Sequence, residues 1–283
     1  MFKYIHPTLF SFDVEWVPDP KAAQMLYGLE NDGSPQATHN AFRKIWAEAG
    51  ATPEMPRPWV KTSLCRVVSI CGIFREQGAA GGVSLKLVSI PGDTSDAEKC
   101  SEPHVLDMFL KGVGGRQPQL VGFNSANADV PIIVQRSIVH GLDSHGFAKR
   151  PEKPWEGTDY FSTAGDFHVD LAKSLAWGKD TPRLHEIATV SGIPGKIDTA
   201  GDQVWDLYLR GRIDQIVAYN ECDAFTTHLL WARMARFAGL LDKKAYATEQ
   251  EAVRELLKES ITQGKTHLEI YLEKWDALQG MMG

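Results

Sequence analysis

The spacing of apolar and polar positions changes period along the chain. "TLFSFDVEW", residues 8–16, carries Leu9, Phe10, Phe12, Val14 and Trp16 and reads as a strand in a core. "LCRVVSICGIFRE", 64–76, reads as a second strand, with Cys65, Val67, Ser69 and Cys71 on one face. "GVSLKLVSI", 82–90, reads as a third, reached through the turn "GAAGG" and close enough to pair with the second as a hairpin. The period then becomes helical. "SEPHVLDMFLKGV", 101–113, places Val105, Leu106, Phe109 and Leu110 on one side behind Ser101 and Pro103. "QLVGFN", 119–124, is a short strand, and "DVPIIVQRSIVHG", 129–141, is a helix expected to begin near Pro131 and to stop at Gly141. "FHVDLAKSLAW", 167–177, reads as an extended segment followed by a short helix. Helices follow at 183–192, 202–211 and 212–239, and two more amphipathic helices fill 247–279.

Three strands followed by strands alternating with helices predict a mixed α/β layer fold. The order fits a ribonuclease H-like, mixed five-stranded sheet flanked by helices, with a helical C-terminal extension. The expected division is a main domain over 1–238 and an extension over 239–283. Residues 18–64 read as an insertion of two helices, near 19–30 and 37–49, and a proline-bearing loop, "TPEMPRPW".

Composition changes little in this picture. Hydrophobic residues at 43% and charged residues at 23% are those of an ordinary globular chain. No apolar run approaches the ~18 residues of a membrane span, and "MFKYIHPTLF" has no signal-peptide pattern. A cytoplasmic protein with no membrane partner is the expectation. The four cysteines form no C-x-x-C pair and read as reduced thiols. The net charge of −6 argues against a generally basic nucleic-acid coat but permits a few local phosphate contacts.

The first strand raises the chemical question. Asp13 and Glu15 are two apart, so both project to one face with Ser11 behind them. Burying either anion without compensation costs several kcal/mol. A face open to water answers this, and so does a divalent cation. Asp129 follows the strand 119–124, where ligands gather in open α/β sheets, or it simply caps the next helix. In "YNECD", Tyr219 and Asp223 are i and i+4 and share a helix face. Each feature alone has an ordinary structural explanation.

Together they carry a resemblance. A strand D-x-E, an Asp after a later strand and a C-terminal Y-x-x-x-D resemble the three motifs of the DEDD exonuclease superfamily in its tyrosine subclass. "FDVEWVPDP", "PQLVGFN" with the following D-V-P, Arg136 and His140-Gly141, "HVDL", "LHEIATVSGIPGK" and "GDQVWDLYLRGRIDQIVAYNECDAFTTHLLWARM" are similar to a stand-alone bacterial family related to the proofreading exonuclease domain of B-family DNA polymerases. The resemblance runs from about residue 8 to 236, and its specific part is 184–233.

The resemblance implies a metal-dependent 3′–5′ exonuclease. Asp13, Glu15, Asp129 and Asp223 would bind two Mg²⁺ or Mn²⁺ ions, with Asp13 bridging them, and Tyr219 would orient the attacking water. Ala218 stands where the histidine subclass has its His. The expected substrate is nucleic acid, single-stranded DNA 3′ ends before RNA, with nucleoside 5′-monophosphates as products and repair or end trimming as the task. Two cations about 3.5–4 Å apart suit phosphodiester hydrolysis because they stabilise both the attacking and the leaving oxygen. Phe123, Asn124, Trp16 and Lys196 are the candidate substrate contacts, Trp16 by stacking on a base. Relatives usually carry an aromatic residue before the second-motif Asp, where this chain has Ala128. The alternatives are a haloacid-dehalogenase-like phosphatase with Asp13 as nucleophile, against which Glu15 counts, and a non-catalytic nucleic-acid-binding module. A glycosidase with paired carboxylates is more distant, since Asp13 and Glu15 share one strand face.

Overall fold

In the computed structural model, which describes residues 2–78, 82–153, 155–162, 165–176, 180–195 and 204–282, the first apolar segment becomes the central strand. β1 is Thr8–Pro18, α1 Pro20–Tyr27, α2 Pro35–Glu48, β2 Cys65–Gln77 and β3 Val83–Ile90. α3 is Glu102–Arg116, β4 Gln119–Gly122, α4 Asp129–Val139, α5 His145–Ala148, β5 His168–Asp170 and α6 Leu171–Ala176. α7 is Leu184–Val190, α8 Val204–Leu209, α9 Ile213–Phe237, α10 Lys243–Thr262 and α11 His267–Met282. The sheet order is β3-β2-β1-β4-β5. β2 pairs antiparallel with both β1 and β3, while β4 is parallel to β1 and β5. This is the mixed five-stranded, helix-flanked α/β sheet that the element order implied.

Alternation along β1 divides the core. Phe10, Phe12 and Val14 pack with Leu106 and Phe109 of α3 and Ile132 and Ile133 of α4. Leu9 joins Ile73, Val121, Phe225 and Leu229, and with them Leu257 of α10 and Tyr271 and Trp275 of α11. α9 therefore lies between the sheet and the two last helices. α1 and α2 start at side-chain caps, Asp19 accepting from the Lys21 N–H and Ser34 from the Ala37 N–H, each followed by a proline. Their apolar residues Phe42 and Ile45 join the first cluster, where Phe42 stacks on Tyr208 of α8.

Three local expectations are corrected. The register of β1 and β2 slips between Glu15 and Trp16, leaving one extra residue on β2. Cys65 consequently packs in the first cluster, whereas Cys71 meets Val217 of α9, so the two thiols do not share a face. α3 continues through its glycines to Arg116, because Gly114 backs directly onto Gly146 of α5, an element with too few residues to give a periodic signal. α4 begins at Asp129 itself, with Ala128 in the cap position, so Asp129 is not the cap.

Gly72 lies beneath the Phe10 ring, and a Cβ there would meet that ring at 2.4 Å and the Ser11 carbonyl at 2.7 Å. Backbone on one side and a core ring on the other leave no room to relax. We predict that Gly72→Ala lowers stability by about 1–3 kcal/mol, read as a lower urea midpoint with an unchanged slope. An unaltered midpoint would contradict this packing.

Candidate metal centre

Three elements meet where the parallel strands end. β1 supplies Asp13 and Glu15, and α9 supplies Tyr219 and Asp223. Carboxylate oxygens of Asp13, Glu15 and Asp223 all lie within 4.8 Å of one another. The Tyr219 hydroxyl is hydrogen-bonded to Asp223. Asp129, 3% exposed, stands beside this trio without joining the set within 4.8 Å. Its carboxylate accepts the Val14 N–H, which fixes it against the strand that bears the other acids.

The electrostatics are those of anions crowded together. Burial, then the charges of Asp129, Glu15 and Asp223, pushes the Asp13 carboxyl well above the usual range. Burial, then Asp223 and Asp129, does the same to Glu15. Asp129 is pushed up to about 8 by burial and by the charge of Asp170. Burial, with Asp223 and Glu15 close by, holds the Tyr219 phenol far above its ordinary value, so it stays protonated. Among the described residues, no Lys or Arg forms an ion pair with Asp13 or Glu15. A converging oxygen donor set, two of whose members form no such ion pair, fits a hard divalent cation.

Asp170, to which the sequence assigned no role, holds the loop that leads to Asp129. Its carboxylate accepts the N–H groups of Asn124 at 2.9 Å, Ala126 at 3.0 Å and Lys173 at 3.2 Å. Asn124 adopts a left-handed φ of 59° in that turn. Ser125 closes the loop by a 2.8 Å hydrogen bond to His168, which burial keeps neutral by pushing its pKa down to about 4. The available signal was an acid ending an apolar strand in "FHVDL".

The other expected contacts are dispersed. Asn124 is exposed, and Phe123 is half-buried against the second core cluster. Trp16 is half-buried and meets Trp59 edge-on at 6.1 Å. Lys196 lies outside the described residues.

The mixed sheet and the acid cluster are compatible with a metal-binding hydrolase. The family model described as "Predicted 3'-5' exonuclease related to the exonuclease domain of PolB" matches residues 57–275, and the chain belongs to that family. The match begins after β1, so Asp13 and Glu15 lie outside it, and it ends within α11. No curated protein matches the chain. Among the described residues, no helix is long and apolar enough to cross a membrane.

Asp13, Glu15 and Asp129 hold protons more tightly in the fold than in the unfolded chain. Without metal, these three carboxyls should therefore contribute stability that is present at about pH 4 and lost as the pH rises toward about 8, while His168 and His228, which burial holds neutral in the fold, act in the opposite sense below about 6.5. Urea unfolding in chelator tests this, and added Mn²⁺ should restore the loss. Asp13→Asn should raise the metal-free midpoint and abolish the Mn²⁺ increment. A wild-type midpoint that does not fall relative to that of Asp13→Asn as the pH rises would contradict the charge crowding.

Proposed function

We propose that this chain is a metal-dependent 3′–5′ exonuclease of the tyrosine subclass of the DEDD superfamily, acting on single-stranded 3′ ends, DNA foremost. The observation that carries the reading is the convergence of Asp13, Glu15 and Asp223, with Tyr219 hydrogen-bonded to the last of them. The family's described activity supports the same chemistry. Residues 1–238, including the 18–64 insertion, would form the exonuclease unit and 239–283 a helical extension. The work is repair or end trimming in the cytoplasm.

Asp13, Glu15 and Asp223 would hold one Mg²⁺ or Mn²⁺ ion, and Asp129 with Asp13 a second. When bound, such ions lower the pKa of water and stabilise the charge that develops on the attacking and leaving oxygens. The protein's own contribution is placement. Tyr219 donates its proton to Asp223 and keeps its oxygen lone pairs free to accept a hydrogen bond from the attacking water. A phenol held protonated orients that water and does not remove its proton. Asp170 fixes the loop 123–128, so Asp129 reaches the centre on rigid backbone. A phosphatase with Asp13 as nucleophile would want a lysine beside that carboxylate, and among the described residues none pairs with it.

With Mg²⁺ or Mn²⁺, 5′-labelled oligonucleotides should shorten from the 3′ side and release nucleoside 5′-monophosphates. Chelator or Asp223→Ala should abolish this. Tyr219→Phe should lower kcat by roughly 10²-fold, the lower end for a positioned group at a proton-transfer centre, while Mn²⁺ affinity by calorimetry stays unchanged. Full activity in Asp223→Ala would remove the site assignment, and products carrying a 3′-phosphate would remove the bond assignment.

A further inference from the structure

The loop 51–61, which the family match covers from residue 57, presents an aromatic and cationic ledge to which the metal chemistry assigns no part. Pro58 and Val60 are buried, and Val60 joins the first core cluster. Trp59 between them is 65% exposed. Its anchored neighbours hold the indole out into water, so the exposure is built into the loop.

The loop is tied to both elements that carry the strand and loop acids. The Trp59 ring meets Trp16 at 6.1 Å and an interplanar angle of 86°. Trp16 directly follows Glu15 in β1. Thr62, three residues beyond Trp59, donates its hydroxyl to Gln135 at 2.8 Å, on the helix that begins with Asp129. On the other side, the Arg57 guanidinium lies 3.5 Å from the centre of the Trp205 ring, with Trp46 edge-on to Trp205. Arg57 and Lys61 are exposed, and among the described residues neither forms an ion pair. Around a centre of carboxylates in a chain of net charge −6, these are local cations on a surface that also offers a flat indole.

We propose that Trp59 is a stacking platform for a nucleobase of the single-stranded end, with Arg57 and Lys61 alongside the phosphate backbone. The proposal rests on the nuclease reading above and gives the 18–64 segment a part in it. Single-stranded nucleic acid is the occupant that the chemistry favours. Base–aromatic stacking tolerates any sequence because every base has a π-face, and basic side chains beside such platforms track the phosphates. An exposed ring that touches Trp16, the residue after Glu15, on a loop that also carries two cations matches that ligand.

The test is a cycle of two proteins and two substrates. One substrate is a labelled oligothymidylate, and the other is the same strand with abasic sugars along its 3′ half. Trp59→Ala should raise KM on the first by roughly 5- to 150-fold, equivalent to about 1–3 kcal/mol at 1.4 kcal/mol per tenfold. The ratio between the two proteins should collapse toward unity on the abasic strand, and Trp59→Phe should recover most of the loss. Equal losses on both strands would mark a merely structural role and overturn the proposal, as would no loss on either. If the wild-type protein shortens neither strand, the nuclease reading fails by itself. The same cycle, read as fluorescence anisotropy of the two labelled strands in chelator, then decides for or against the platform.

Discussion

Repulsion among carboxylates sets the central condition of this structure. Elsewhere in the molecule, buried acids have partners. Glu249 takes Arg75 at 2.6 Å, and Glu102 and Asp19 share Arg136. Glu221 receives Ser89, Lys265 and His267. Burial alone would raise the Glu221 carboxyl, yet those donors bring it below its ordinary value. Asp170 is satisfied by three backbone N–H groups. Asp13 and Glu15 depart from this rule, and each is pushed toward protonation by burial first and then by its acidic neighbours. A fold that pairs its buried charges elsewhere and crowds these two beside Asp223 offers an oxygen donor set compatible with a cation.

Holding like charges together requires a stiff frame. β1 is central in the sheet, paired with β4 over residues 9–11 and with β2 along its whole length past Asp13 and Glu15, so the two acids have little freedom to separate. α9 is gripped from two directions. Asn220 donates to the Ser69 carbonyl on the sheet side. Glu221 ties the α10–α11 turn to the opposite flank, and Thr226 reaches the Pro194 carbonyl and the Tyr271 hydroxyl. Tyr219 and Asp223 are thus presented by a helix that cannot rotate without breaking these bonds. The approach to Asp129 depends on Asp170, which accepts the N–H groups of Asn124 and Ala126 in the preceding loop and of Lys173 in α6. Sites held by packed neighbours and hydrogen-bonded supports keep the narrow tolerances that catalysis and metal binding require.

The 18–64 segment adds a wall to this frame. Its helices are bound to the core through Phe42 and Ile45, and its loop returns past Trp16 to α4. The cation–π contact of Arg57 and the ring contacts among Trp46, Trp205 and Tyr208 stiffen that return. The segment shares one apolar cluster with the sheet, and Tyr219 packs against that same cluster.

Much of this was legible in the sequence, because periodicity reports which face of an element is apolar. The strands, the long helices and the placement of Asp13 with Glu15, and of Tyr219 with Asp223, follow from spacings of two and four residues. What lay beyond reach depends on contacts remote in the chain. The slip between Glu15 and Trp16 separates Cys65 from Cys71, and the Gly114–Gly146 contact extends α3. Asp170 becomes a clamp only because the loop 123–126 folds over it. The sequence by itself determined the chemical types and the face on which each one sits, since those depend on local geometry. Only the tertiary structure decided that residues 13, 15 and 223 would meet within 4.8 Å while Asp129 stands apart from that set, because such distances are fixed by how whole elements pack.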